Sequence, residues 1–178
     1  GFPIEAFGND KKGMTKETDY FMKEAMLYEK LDNKFVHCFL CNHHCRIAEG
    51  KLGICAVRKN TDGVLYTLSY RRLAACNLDP IEKKPIFHLL PGSTSLSIAT
   101  IGCNFRCGFC QNWQISQAPR GLKDILPGED RAPREIVKEA VAQKARSISY
   151  TYTEPTIFFE YAYEIARLAK EKSLFNIF

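Results

Sequence analysis

From residue 95 onward the hydrophobic pattern switches back and forth between a strand period and a helix period. Residues 95–101, SLSIATI, are uncharged and rich in β-branched side chains, which predicts a buried strand. Residues 118–132 form a polar loop with two Pro and two Gly. Pro133 then suits the first turn of a helix near 133–146, where its missing N–H is not needed. Ile136, Val137, Ala140 and Val141 fall on one face of that helix. Residues 147–152, SISYTY, predict a short strand. Pro155 opens a second helix near 155–172, with Ile157, Tyr161, Ile165 and Leu168 in register. The apolar run 173–178 reads as a third strand beginning. Strand, helix, strand, helix, strand implies an α/β fold with a parallel sheet built from right-handed βαβ units. Chemistry in such sheets gathers at the carboxyl ends of the strands. Cys103 and Glu154 each follow a predicted strand and should lie on that edge.

Before residue 95 the pattern is weaker. Residues 14–25 are polar with some helical character. Residues 26–37 predict two short strands about an Asp32-Asn33-Lys34 turn, and residues 64–70, VLYTLSY, predict a strand. Residues 74–92 hold Asp79-Pro80, Lys84-Pro85 and Pro91-Gly92 and read as irregular.

Composition narrows the classes. The chain has 178 residues, enough for one domain or a domain plus a small module. Apolar residues make up 46% and charged residues 25%, which excludes disordered, collagen-like and coiled-coil sequence. No apolar run approaches the length of a membrane span. The opening GFPIEAFGNDKKG lacks the layout of a signal peptide, so the expected compartment is cytoplasmic. The net charge of +5 is dispersed, which argues against nucleic acid as a partner. The chain begins at Gly1, with Met14 as a natural start further in, and ends on an apolar strand. Both ends lead to the expectation of an N-terminal fragment whose C-terminal half lies elsewhere.

Cysteine is the outlier, with eight residues in tight clusters. Clustered Cys in a cytosolic chain points to metal or redox chemistry rather than disulfides. Cys103, Cys107 and Cys110 are spaced x3 and x2 in the loop after the first predicted strand. Three thiolates are one short of the four that saturate zinc or a four-iron cluster. Such a set leaves one metal position open for a substrate or cofactor. Cys38, Cys41, Cys45 and Cys55, spaced x2, x3 and x9, form a complete set, and Gly50 and Gly53 allow the tight turn before Cys55. This reads as a closed structural site, for zinc by preference or for an auxiliary iron–sulfur cluster. His43 and His44 read as exposed loop histidines that could substitute as ligands. Cys76 stands alone and reads as a buried small residue. The stretch Glu82-Lys83-Lys84-Pro85 is either a solvated charge run or a contributor to the active face. Trp113, after Gln111-Asn112, either covers the second Cys loop from water or packs in the core.

CxxxCxxC after the first strand of an α/β domain resembles the signature of radical S-adenosylmethionine (radical SAM) enzymes. The resemblance implies a 4Fe–4S cluster on Cys103, Cys107 and Cys110 whose open iron is chelated by S-adenosylmethionine. It also implies reductive cleavage of the sulfonium to methionine and a deoxyadenosyl radical that abstracts hydrogen from substrate. Phe109 fills the aromatic position before the third Cys, which in the family packs near the adenine. The family's Gly-Gly-Glu motif is matched by Thr151-Tyr152-Thr153-Glu154-Pro155, with Tyr152 and Thr153 in place of the glycines. Thr153 and Glu154 are thereby implied as cofactor contacts. Two long strings, PIEKKPIFHLLPGSTSLSIATIGCNFRCGFCQNWQISQ at 80–117 and SYTYTEPTIFFEY at 149–161, resemble enzymes related to pyruvate formate-lyase activating enzyme. Within that group the AmmeMemoRadiSam-system enzymes are the nearest in kind.

On this resemblance the fold is a partial (βα) radical SAM barrel, truncated C-terminally. Residues 1–22 form a leader, 23–92 a Cys-rich N-terminal metal module with its connector, and 93–178 the first part of the barrel. The implied activity is oxidoreductase-type, with a flavodoxin- or ferredoxin-type electron donor. The implied substrate is a glycine of a protein backbone, a Memo-like or AMMECR1-like protein, or a metabolite. Two other classes compete. A ferredoxin-like carrier would need a fourth Cys near the second cluster, where only the distant Cys76 is available. A zinc-ribbon binding module would account for the first cluster but not the second.

Overall fold

The computed structural model describes residues 22–121 and 126–178. Residues 1–21 of the expected leader at 1–22 and most of the polar helical stretch at 14–25 lie outside the described residues. At its end, Lys23–Glu24 form strand β1 rather than helix.

Two small antiparallel sheets make up the N-terminal part. In the first, β2 (Tyr28–Lys30), β3 (Val36–Cys38) and β4 (Cys45–Ile47) lie in the order β2-β3-β4. The expected turn at Asp32–Lys34 joins β2 and β3 as a single 3-10 turn, with Asn33 and Lys34 both at positive φ. In the second sheet β1 and β5 (Arg58–Thr61) flank β6 (Val64–Thr67). Asp62-Gly63, both at positive φ, closes the β5–β6 hairpin, as an Asp-Gly pair does in the primed turns that match strand twist. Ala25, Val36, Cys38, Ile47 and Leu65 form a minor core beneath these strands.

The large sheet runs β11-β10-β8-β7-β9. Its parallel part is β8 (Thr94–Thr100), β10 (Ser147–Tyr150) and β11 (Phe175–Ile177). Helix α2 (Pro133–Ala142), which follows the short helix α1 (Trp113–Ser116), connects β8 to β10. Helix α3 (Phe159–Glu171) connects β10 to β11. The sheet is mixed, not wholly parallel as expected. β7 (Arg72–Pro80) pairs antiparallel with β8, and β9 (Glu129–Asp130) with β7. It is open, and the described residues form no closed barrel.

β7 corrects the irregular reading of 74–92 over residues 74–80; beyond the 3-10 turn Ile81–Lys83 the rest of that stretch is irregular as expected. Ala74-Ala75-Cys76-Asn77-Leu78-Asp79-Pro80 has little intrinsic strand preference, and its order comes from the ladder with β8 from Leu73↔Thr100 to Pro80↔Thr94. Side chains alternate between the sheet's two faces. Leu96, Ile98, Ile148 and Tyr150 join Ile136, Ala140, Ile157, Phe158, Tyr161 and Ile165 in the main core. The opposite face carries Asp79, Ser95, Ser97, Ser147 and Ser149, small or polar throughout, with Ser95 Oγ 2.7 Å from Ser149 Oγ.

α2 stops four residues earlier than predicted, whereas α3 ends within one residue of the predicted 172. α2 ends at Ala142, with Lys144 at positive φ and Ala145 N–H bonded to Ala140 O at 2.9 Å. Ser173 closes α3 in the same way, through Leu174 N–H to Ala169 O at 3.0 Å. Val141, expected on the buried face, is exposed, whereas Ile136, Val137 and Ala140 are buried. Leu168 is half-buried, and Pro155–Phe158 form a 3-10 turn ahead of α3.

The N-terminal part is fixed to the large domain by an ion pair. Arg58 on β5 and Glu160 on α3 meet with both side chains 1% exposed. Arg58 Nη1 also donates to Met26 O at 2.8 Å, and Glu160 Oε1 accepts from Met26 N–H at 2.7 Å.

Candidate functional site

The loop after β8 is built around Gly102. Its φ of +106° is costly for any L side chain, and an added Cβ would run into Val57 Cγ1 and lie 3.3 Å from Cys55 O. Gly102 N–H donates to Ile115 O at 2.9 Å and closes the loop onto α1. Within it Cys103 is buried, Cys110 is half-buried and Cys107 is exposed. Cys103 Sγ accepts from Phe105 N–H at 3.4 Å, and Cys110 Sγ lies 3.4 Å from Ser116 Oγ. All three thiols are free. Among the described residues no three His, Cys, Asp or Glu side chains converge to metal-binding distance. The loop therefore brings the thiols into one segment without closing them on a single point. As a donor set they fit a 4Fe–4S cluster held by three thiolates. Asn104 Oδ1, buried beside Cys103 with no hydrogen-bond partner, belongs to the same loop.

The stretch 151–154 stands directly beside this loop. Thr153 is buried and its hydroxyl donates to Thr100 O at 3.1 Å, tying the end of β10 to the end of β8. Asn112 Nδ2 donates to Tyr152 O at 3.0 Å and ties the Cys loop to the same turn. Tyr152, at one glycine position of the resembled motif, takes φ +64°, a conformation glycine adopts freely and tyrosine does not. Its phenol is anchored by donating to Asp79 Oδ2 at 2.7 Å. Glu154 caps the 3-10 turn that follows it, with Oε1 accepting from Thr156 N–H at 3.4 Å and from Thr156 Oγ1 at 2.6 Å. Both bonds use Oε1. Phe109 is 89% exposed and Trp113 61% exposed, so Trp113 is not a core residue.

The first Cys block comes together from two directions. Cys38 and Cys45 are directly opposed on β3 and β4, and Cys41 lies in the connecting turn. Cys55 enters from the turn before β5. Burial raises its thiol to about 11, and burial likewise raises Cys45, beside Cys38 and Cys41. Arg58 Nη1 lies 3.8 Å from Cys38 Sγ. His43 is exposed as expected, yet its Nε2 lies 2.9 Å from Asn104 O. With the Gly102–Cys55 approach, this contact packs the two Cys loops against each other. Cys76, read as buried, is half-buried, and its thiol is pushed up to about 11 by that burial.

Of the run Glu82–Pro85, Glu82, Lys83 and Pro85 are exposed and Lys84 is buried. Lys84 Nζ is 3.0 Å from Asp79 Oδ2 with its side chain 10% exposed, and Lys83 Nζ is 2.8 Å from Asp79 Oδ1. Burial opposes ionisation of Asp79. Hydrogen bonds from Lys83, Tyr152 and Lys84 outweigh it and hold the carboxyl well below the usual carboxylate range. Apart from the place of Tyr152 in the Glu154 motif, Asn112, Tyr152 and Asp79 carried no motif-level signal of a shared site. Only the trace of EKKP in the sequence pointed to this corner.

A strand-ended, three-thiol loop beside an acid-bearing turn defines a class of chain. Residues 97–178, from within β8 onward, match the Radical SAM superfamily. The chain is 47% identical over 156 residues to an uncharacterized protein of Methanocaldococcus jannaschii, covering 88% of this chain and 46% of that protein. A second uncharacterized protein of the same organism is 33% identical over 101 residues, covering 54% of this chain and 25% of that protein. The chain thus spans less than half the length of either relative. No solved structure matches it. Among the described residues no helix is long and apolar enough to cross a membrane.

Proposed function

We propose that this chain forms the cluster-binding part of a radical SAM enzyme of the kind related to pyruvate formate-lyase activating enzyme. The observation that carries this reading is the Cys103–Cys110 loop at the carboxyl end of β8, inside the stretch that matches the superfamily. A 4Fe–4S cluster held by Cys103, Cys107 and Cys110 would, with S-adenosylmethionine, supply reductive C–S cleavage chemistry. The chain's own residues have separate tasks. Cys103, Cys107 and Cys110 hold the cluster as thiolates. Glu154, through the oxygen it does not spend on Thr156, accepts hydrogen bonds from the cofactor's ammonium. Phe109 offers an exposed ring to the adenine. Thr153 and Asn112 fix the turn that carries Glu154 relative to the Cys loop.

The first Cys block, on this reading, is a closed structural site for zinc or a second iron–sulfur cluster. The reductant is a flavodoxin- or ferredoxin-type carrier. The substrate is a protein or a small molecule, with a Memo-like or AMMECR1-like protein as the protein candidate.

The test uses the full-length gene product, reconstituted anaerobically. Strong reduction with S-adenosylmethionine should give methionine and deoxyadenosine in equal amounts, and the variant with Cys103, Cys107 and Cys110 all replaced by Ala should give none. A triple variant that keeps a complete cluster, or a wild type that never cleaves the cofactor, overturns the reading.

A further inference from the structure

A cavity of about 640 Å³ opens at the carboxyl edge of the large sheet, within the ~300–1,000 Å³ range of small-molecule sites. Gln111 and Asn112 from the Cys loop form one part of its wall, Tyr152 from the turn before Glu154 another, and Ile177 of β11 a third. Lys83 and Lys84 supply the remaining charged wall. No acidic residue lines it among the described residues.

The charge arrangement is specific. An ammonium buried as deeply as that of Lys84 is expensive unless it is paired. Asp79, 5% exposed on the polar face of the sheet, provides the pair, but it is shared. The same carboxylate takes Lys83 on one oxygen and both Lys84 and the Tyr152 phenol on the other. Two ammonium groups against one carboxylate leave a net positive charge at the cavity wall. Lys84 Nζ also sits 5.0 Å from the centre of the Tyr152 ring, which steadies it without neutralising it. An ammonium has three donors, and Asp79 takes one from Lys84. The remaining donors, on a residue that lines the cavity, suit an oxyanion; a cation would meet like charge.

We propose that this cavity binds the carboxylate or phosphate group of a small-molecule substrate, held by Lys83 and Lys84 and positioned by Asp79. The proposal rests on the radical SAM reading for what happens next to that group, because Gln111 and Asn112 directly follow Cys110. Binding itself does not depend on that reading. The one other source of the same chemistry is the carboxylate of S-adenosylmethionine.

The experiment separates these. Cluster-free full-length protein is titrated at low salt with inorganic phosphate and, separately, with benzoate, by calorimetry. Both should bind the wild type. Lys84→Met should weaken them by about tenfold or more, and Lys84→Arg should stay close to wild type. Because Lys84→Met takes from the buried Asp79 one of its two ammonium partners, two further variants keep the test open. Lys83→Met leaves the Asp79–Lys84 pair intact and should weaken binding several-fold. Asp79→Asn with Lys84→Met removes both charges and should bind no better than Lys84→Met alone. Cofactor affinity is then read on the reconstituted protein from the change that S-adenosylmethionine makes in the electron paramagnetic resonance spectrum of the reduced cluster. It should be the same for wild type and Lys83→Met. A wild type that binds neither anion, or lysine variants that bind as tightly as wild type, overturns the proposal. So does a loss of cofactor affinity in Lys83→Met equal to its loss of phosphate affinity, which assigns the site to the cofactor instead.

Discussion

Glu160→Ala is expected to be among the most destabilising single changes outside the Cys loops. Glu160 and Arg58 are each 1% exposed and face each other across the boundary between β5 and α3. Truncation leaves the guanidinium buried with no countercharge, which typically costs about 3–5 kcal/mol. It also orphans the Met26 N–H that Glu160 Oε1 accepts, a group whose desolvation is worth about 1–3 kcal/mol. The two losses share one oxygen and overlap, so about 4 kcal/mol is the expected total. With an m-value of about 2 kcal/mol/M, the urea midpoint should fall by about 2 M. Fluorescence and far-UV circular dichroism should report the same transition. The double variant Arg58→Met/Glu160→Leu removes both charges and should recover most of the loss, because the cost lies in the unpaired charge and not in the missing attraction. Arg58 Nε and Glu160 Oε2 have no hydrogen-bond partner in the fold, which makes that recovery easier. A Glu160→Ala loss below about 1 kcal/mol, or a double variant as unstable as the single, would refute the argument.

Four further outcomes are expected. Glu154→Gln keeps the shape but removes the charge, so affinity for S-adenosylmethionine should fall about ten- to a hundredfold by titration of the reduced cluster's spectrum; unchanged affinity makes Glu154 a cap for Thr156 alone. Gly102→Ala must take φ +106° and press on Val57, so it should lose about 2–4 kcal/mol in a denaturant titration. Asp79 has a depressed folded-state value, so its contribution is fully present above the unfolded value of about 4 and lost as pH falls below it; Asp79→Asn should flatten the acid limb of the stability–pH curve between about pH 4 and 2. If the first Cys block is the proposed structural metal site, Cys41→Ser should lower thermal stability and release that metal while leaving the spectrum of the cluster on Cys103, Cys107 and Cys110 intact, as elemental analysis and electron paramagnetic resonance would show.

How much of this was legible in the sequence follows from the range over which each signal acts. The two βα units of the large sheet could be read directly, because their signals are local: the β-branched residues in β8, Pro133 at the start of α2 and Pro155 at the 3-10 turn that leads into α3, and the four-residue spacing of Ile136 and Ala140 and of Ile157, Tyr161 and Ile165. So could the placement of Cys103 and Glu154 at strand ends, since a strand's carboxyl edge is wherever its pattern stops. The end of α2 was not legible, because Lys144 closes it in a conformation that sequence usually marks with glycine, whereas α3 ended within one residue of its predicted bound. β7 was invisible for a similar reason. Its Ala, Asn, Asp and Pro disfavour strands locally, and only the ladder to β8 orders them. The same strand places Asp79 under Lys83, Lys84 and Tyr152, residues up to 73 positions away. The local sequence thus determined which thiols cluster at the strand end. Tertiary pairing alone decided that a buried, shared carboxylate and two lysines would stand beside it, because charge balance depends on distance in space and not on distance along the chain.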